Sequence, residues 1–193
     1  TRRSSDLVLV VGLGNMGLSH ARAYNAIEGF EIAGLCSRNI AEREDLATEF
    51  PGVPQFNDYA EALAALKPDA VSINTWPDTH AAFARMALEA GAHVFIEKPL
   101  ADTVAEAEDI AKLAKAKGLK LVIGYILRHH PSWMKLISLA RDLGGPYVFR
   151  MNLNQQSVGK TWGTPKKPLC DGFTIFEFQQ LDHRQDHVFG DGE

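Results

Sequence analysis

Residues 7–11 form an unbroken apolar run that passes directly into Gly12-Leu13-Gly14-Asn15-Met16-Gly17, and no other feature restricts the fold of this chain as much. The three glycines have separate physical roles. Gly12 permits a tight turn, Gly14 leaves room for a diphosphate against bare backbone, and Gly17 lets the next helix pack closely on the strand. The N-terminus of that helix then offers amide donors and partial positive charge to phosphate. The pattern predicts a strand, a phosphate-binding turn and a helix, with Gly12, Gly14, Asn15, Met16 and Gly17 as dinucleotide contacts. A chance glycine-rich turn is the competing explanation. The apolar run before the loop, the helical stretch after it and a second apolar run at the right distance count against chance.

Further apolar runs at 30–36, 70–74, 92–96 and 119–124 alternate with amphipathic stretches. That order is expected of an α/β fold with a doubly wound parallel sheet. Helix ends are marked locally: Asp58 with Glu61 and Thr103 with Glu106 have capping-box spacing, and Gly91 and Gly118 follow helical runs where a left-handed residue ends the turn. Within 103–117, Val104, Ala107, Ile110, Ala111 and Ala114 share one face, while Lys112, Lys115 and Lys117 gather where the helix dipole favours cations. The pattern changes after Tyr125, at Arg128-His129-His130-Pro131, which places a boundary near residue 127. From Pro146 to Leu153 apolar and polar residues alternate, predicting a strand of a second sheet, and 173–178 is the only later strand-like run. The expectation is a Rossmann-type domain in 1–127 followed by an incomplete α+β domain in 128–193.

Composition limits the partners. With 193 residues, 46% of them apolar, the chain can bury one sizeable core and part of another. A net charge of −4 leaves no basic footprint for nucleic acid, so a small molecule or another protein is expected. Cys36 and Cys170 read as free thiols of a reducing compartment, with the cytoplasm as default. Arg2-Arg3 before an apolar run has the look of an export signal, but the run is short and enters the glycine loop. No apolar stretch approaches the roughly 18 residues that a membrane helix needs, so no membrane span is expected.

About twenty residues beyond the third glycine, such a loop ordinarily has an acid on the second strand to hold the adenosine ribose. Ser37 and Arg38 stand there instead. A carboxylate would repel a 2′-phosphate, whereas Ser37 can donate to its oxygens and Arg38 can pair with it through the guanidinium. NADP is therefore favoured over NAD. The alternative is an arginine solvated in its turn, and a site that accepts both cofactors would look similar. Glu97-Lys98-Pro99 follows the run 92–96. A lysine where a parallel strand ends lies at the mouth of an open sheet, where ligands bind. Taken alone, Lys-Pro is more simply a solvated turn. With a phosphate loop in the same domain, Lys98 becomes a candidate acid/base group.

Together, the glycine loop, Thr75 with His80, Glu97-Lys98-Pro99, and Tyr125 with Arg128 and Pro131 resemble the glucose-fructose oxidoreductase / inositol dehydrogenase / MocA family over roughly residues 7–165. The resemblance implies a nicotinamide-dependent oxidoreductase acting on a sugar, polyol or related molecule. It also implies a second, mostly antiparallel sheet that closes the substrate pocket and often builds a dimer or tetramer. In it Lys98 matches the lysine beside the nicotinamide, positioned by Glu97 and Pro99. Arg128 and Trp162 match groups near cofactor or substrate, and Thr75 and Trp76 are cofactor contacts, with Trp76 standing where proline is usual. Alternatively, Arg128 caps the helix starting at Pro131 and Trp162 packs a loop. His80 reads as structural, and His129 and His130 lack partners at ligand spacing, so no metal is expected.

The family's later Asp-x-Gly-x-His-x-x-Asp segment, which binds substrate and relays the proton, has no full counterpart. Asp171 can take its first position, but Ile175 stands four residues on; His183 and Asp186 give His-x-x-Asp, with Gln179 where the first acid belongs. The chain is shorter than the family and is expected to be truncated. A half-built sheet leaves unpaired edges, so a homo-oligomer or a loose tail is expected. Two functions stand: an NADP-dependent oxidoreductase, and a dinucleotide-binding module without turnover. A DNA regulator would need a basic helix-turn-helix segment, which is absent.

Overall fold

Val8, Leu9, Val10 and Val11 follow one another in strand β1 (Asp6–Val11), and all four are buried. Burial without alternation means that both faces of the strand are covered, as in a parallel sheet flanked by helices. The computed structural model describes residues 5–145. β1 lies inside a sheet completed by β2 (Phe30–Cys36), β3 (Gln55–Phe56), β4 (Ala70–Ile73), β5 (His93–Ile96) and β6 (Leu121–Ile123). The strands run parallel in the order β3-β2-β1-β4-β5-β6. Chain direction across the sheet reverses between β1 and β4, which opens a crevice at the carboxyl ends of those strands.

Period-two alternation divides the apolar residues between two cores. Leu9, Val11, Val71, Ile73, Val94 and Ile96 meet Leu63 of α3 (Tyr59–Leu66), Leu88 of α4 (Pro77–Glu89) and Ile110 of α5 (Val104–Lys117). Val8, Val10 and Leu35 pack on the other face against Ala21 of α1 (Asn15–Ala26) and Leu46 of α2 (Glu44–Glu49). The sheet is therefore doubly wound.

Local capping sets the helix ends. Thr103 and Glu106 close a full reciprocal box at α5, and Gly118 ends that helix at φ +66°. At α3, Asp58 accepts from the Glu61 amide at 2.8 Å. Gly91, at φ +87°, takes the chain out of α4. β3 was not marked by the pattern, because two residues cannot display a period. The run 119–124 narrows to a three-residue β6.

The chain divides into two compact units between Tyr125 and Ile126. In the second, a 3₁₀ turn (Ile126–His129) precedes α6 (Pro131–Leu143). His130 is the N-cap of α6, its Nδ1 accepting from the Ser132 amide at 3.3 Å. The strand expected near 147–154, Trp162, Cys170, the run 173–178 and the His183–Asp186 pair lie outside the described residues. Among the described residues no helix is long and apolar enough to cross a membrane.

Candidate functional site

Register aligns Val11, Cys36, Ile73, Ile96 and Ile123 in one row across the sheet. The residues that follow them, Gly12, Ser37, Asn74, Glu97 and Gly124, therefore leave the sheet side by side. Ladder hydrogen bonds continue into this row: the Gly12 amide donates to the Cys36 carbonyl at 2.9 Å, Asn74 to Val11 at 2.8 Å, Glu97 to Ile73 at 2.9 Å and Gly124 to Ile96 at 2.8 Å. Residues scattered along the sequence are thus gathered at the carboxyl edge, where open α/β sheets bind ligands.

The glycine loop fits its turn tightly on two sides and is open on the third. Gly12 has φ +82°, and a Cβ there would lie 2.6 Å from the Asn74 carbonyl oxygen. A Cβ at Gly17 would lie 1.7 Å from the Gly12 carbonyl oxygen, so α1 rests directly on the turn. Gly14 faces nothing within 4 Å. It is the N-cap of α1 and supplies no side-chain acceptor, and the first turn holds no acid, so nothing on this helix neutralises the positive end of its dipole. Asn15 and Met16 are exposed beside it. Bare backbone, open space and a helix N-terminus fit a diphosphate.

From the end of β2, Ser37 is half-buried and Arg38 exposed, and neither supplies a carboxylate. Arg43 reaches back to donate to the Leu13 carbonyl at 2.8 Å, while its other nitrogens pair with Asp45 at 2.8 and 2.7 Å. This tie between the glycine loop and the segment after β2 was not foreseen, and nothing in the local sequence marks it.

After β4, Thr75 and Thr79 hydroxyls meet at 2.7 Å, and exposed Trp76 is the N-cap of α4 with Pro77 behind it. His80 is fully buried between two carbonyls, Nε2 3.0 Å from Thr75 and Nδ1 2.5 Å from Pro99. The imidazole so lies where the loop after β4 meets the one after β5, and its N–H can donate to one of the two carbonyls. Lys98 follows β5 and is half-buried, and the peptide joining it to Pro99 is cis. Glu97 is buried, with its Oε2 accepting from the Lys98 amide at 3.4 Å and its Oε1 3.5 Å from His20 Nε2. Burial pushes the Glu97 carboxyl up, but the His20 ring beside Oε1, with the Lys98 amide and charge, outweighs it and holds Glu97 below the ordinary carboxylate range.

The loop Gly12–Gly17, Ser37, Arg38, Thr75, Trp76, Glu97 and Lys98 all lie at strand ends of the first unit. Arg128 is exposed in the 3₁₀ turn of the second unit. Trp162 lies outside the described residues. The sequence reading missed His20, Ser72 and Asn74; the one available signal was that His20 stands three residues after Gly17, on the sheet-facing side of α1.

Comparison with known proteins places this geometry. A family model described as an oxidoreductase family with an NAD-binding Rossmann fold matches residues 7–125. UDP-N-acetylglucosamine 3-dehydrogenase of Acidithiobacillus ferrooxidans is 38% identical over 128 residues, 64% of this chain and 38% of that protein. Its solved structure superposes with a TM-score of 0.62 over 72% of this chain and 43% of that one. Inositol 2-dehydrogenase of Paracoccus denitrificans is 30% identical over 81% of this chain and 48% of its own length. The structure of scyllo-inositol dehydrogenase from Lactobacillus casei with bound NAD(H) and scyllo-inositol matches with a TM-score of 0.65 and 28% identity, over 72% of this chain and 41% of that one. The chain spans about half, or less, of the length of these relatives.

Proposed function

This chain belongs to the Gfo/Idh/MocA oxidoreductase family, and from that membership we propose that it is an NADP-dependent oxidoreductase of the cytoplasm, acting on a hydroxyl or carbonyl carbon of a sugar, polyol or related molecule. The observation that carries this reading is the shared edge: the phosphate loop and Lys98 leave β1 and β5, the two strands that flank β4. A bound nicotinamide supplies the hydride chemistry. Around it, the Gly14 backbone and the first-turn amides of α1 bind diphosphate, and Ser37 and Arg38 favour a 2′-phosphate, with NAD the alternative. The Lys98 amine takes or returns the proton of the reacting oxygen. Residues 1–127 are read as the dinucleotide domain and 128–193 as part of a substrate and oligomerisation domain that includes Arg128 and Trp162.

Titration with NADPH and NADH, followed through the fluorescence of the three tryptophans, tests the cofactor. Tighter binding of NADPH is expected, and no binding of either nucleotide refutes the reading. Turnover on a sugar and polyol panel that vanishes in Lys98→Ala, with NADPH affinity kept, supports the enzyme. Binding without turnover favours the second reading, a dinucleotide module, which the incomplete Asp/His segment of the sequence suggests.

A further inference from the structure

Beneath the crevice, four polar side chains from three segments are joined in one line. His20 projects from α1 onto the sheet, where its ring meets Phe95 edge-on at a centroid distance of 4.8 Å. Its Nδ1 lies 3.1 Å from Ser72 Oγ and its Nε2 3.5 Å from Glu97 Oε1. On the far side of Ser72, Asn74 Nδ2 donates to the same Oγ at 3.1 Å. Ser72 is fully buried and Glu97 is 8% exposed. Gly124 closes the end of the line: a Cβ there would stand 3.0 Å from Glu97 Oε1, so any side chain would press the carboxylate by a few tenths of an ångström.

Donor and acceptor chemistry gives the line a direction. Asn74 Nδ2 also lies 3.1 Å from the Ser72 carbonyl, which can only accept, so this atom is the amide nitrogen. Ser72 Oγ therefore accepts from Asn74 and has its own hydrogen to give, and both His20 Nδ1 and the Tyr24 hydroxyl stand against it. Glu97 Oε1 is buried and has no hydrogen-bond partner in direct contact, with His20 Nε2 the donor facing it. In the neutral imidazole, which carries one hydrogen, placing it on Nδ1 would leave a lone pair against a buried carboxylate. Placing it on Nε2 satisfies both ends. The order is then Asn74 N–H to Ser72 Oγ, the Ser72 O–H shared between His20 Nδ1 and Tyr24, and His20 Nε2–H toward Glu97.

We propose that His20 is a positioning residue of the Lys98 site. Through its Nε2–H tautomer it holds the Glu97 carboxylate in one orientation, and Glu97 in turn holds the backbone from which Lys98 extends. At its other end the line reaches Asn74, against whose carbonyl the Gly12 turn is packed, so one network braces both sides of the crevice. The inference rests on the reading of Lys98 as the acid/base group.

The test uses the full chain. Nitrogen-15 histidine spectra at pH 8, with the His20 signal assigned by its loss in His20→Gln, are expected to show the Nε2–H tautomer; a ring protonated on Nδ1 overturns the proposal. Acylation of the Lys98 amine, read by mass spectrometry against exposed Lys67 and Lys112, is expected to change about threefold in His20→Leu, the scale of one net hydrogen bond. It is expected to return to the unaltered rate in His20→Gln, whose amide offers both a donor and an acceptor. An unchanged Lys98 rate in His20→Leu, or Gln behaving as Leu, overturns it. Ser72→Ala removes the hydrogen aimed at Nδ1 and should mix the tautomers; a tautomer unaltered by that change also counts against the line. Spectra and labelling are read without cofactor, so failure to bind NADPH refutes the oxidoreductase reading separately.

Discussion

Gly17→Ala and Gly14→Ala add the same methyl group at two points of one loop, and the structure predicts opposite consequences. At position 17 the new carbon would sit 1.7 Å from the Gly12 carbonyl oxygen, where contacts under 3.0 Å are essentially never found, so helix and turn must separate by the difference, about 1.3 Å. The obstacle is backbone and cannot swing away. Overpacking of this kind costs ~3 kcal/mol, offset by the ~1 kcal/mol that alanine gains over glycine within a helix, for a net loss of ~2 kcal/mol. In a chain of this size that is a fall in melting temperature of roughly 4–8 °C. At position 14 the backbone has φ −72°, ordinary for alanine, and nothing lies within 4 Å. Stability there should change by less than about 0.5 kcal/mol. NADPH affinity should nevertheless fall at least ~10-fold, because the methyl stands where phosphate meets bare backbone. Thermal unfolding by circular dichroism and tryptophan-fluorescence titration of NADPH separate the two effects. A Gly17→Ala chain that melts with the unaltered one refutes the close seat of α1 on the turn. Normal NADPH affinity in Gly14→Ala refutes the phosphate site.

Arg38→Ala should weaken NADPH by ~10-fold or more, the value of a charge-assisted hydrogen bond, and leave NADH nearly unchanged; equal losses for both nucleotides in paired titrations would remove the 2′-phosphate role. Glu97 is held below its ordinary value of 4.5 in the fold, so the folded chain binds fewer protons there than the unfolded one; its contribution is present above about pH 4.5 and is lost as pH falls through the lower folded value. Glu97→Gln should therefore flatten the acid side of the stability profile, read as urea midpoints between pH 3 and 7, and an identical acid slope would contradict the assignment. Thr103→Ala breaks the reciprocal box at α5 and should cost ~1 kcal/mol in urea unfolding; no change would show that the box adds nothing to the chain's stability.

Local information was enough for much of this protein. Short apolar runs alternating with amphipathic helical stretches fit strands of a covered parallel sheet, and Gly12, Gly14 and Gly17 act through their own lack of a side chain, so strand, loop and helix could be read residue by residue. The Thr103 box is likewise a contact between residues three apart. What sequence could not reveal depends on register. Asn74, Glu97 and Gly124 become neighbours only because Ile73, Ile96 and Ile123 pair in one row, and Arg43 finds the Leu13 carbonyl across the turn between two strands. His20 shows the division most clearly. Its sequence position puts it on α1, but that its ring spans Ser72 and Glu97 is settled by the seat of that helix on the sheet, a long-range packing outcome that no local pattern encodes.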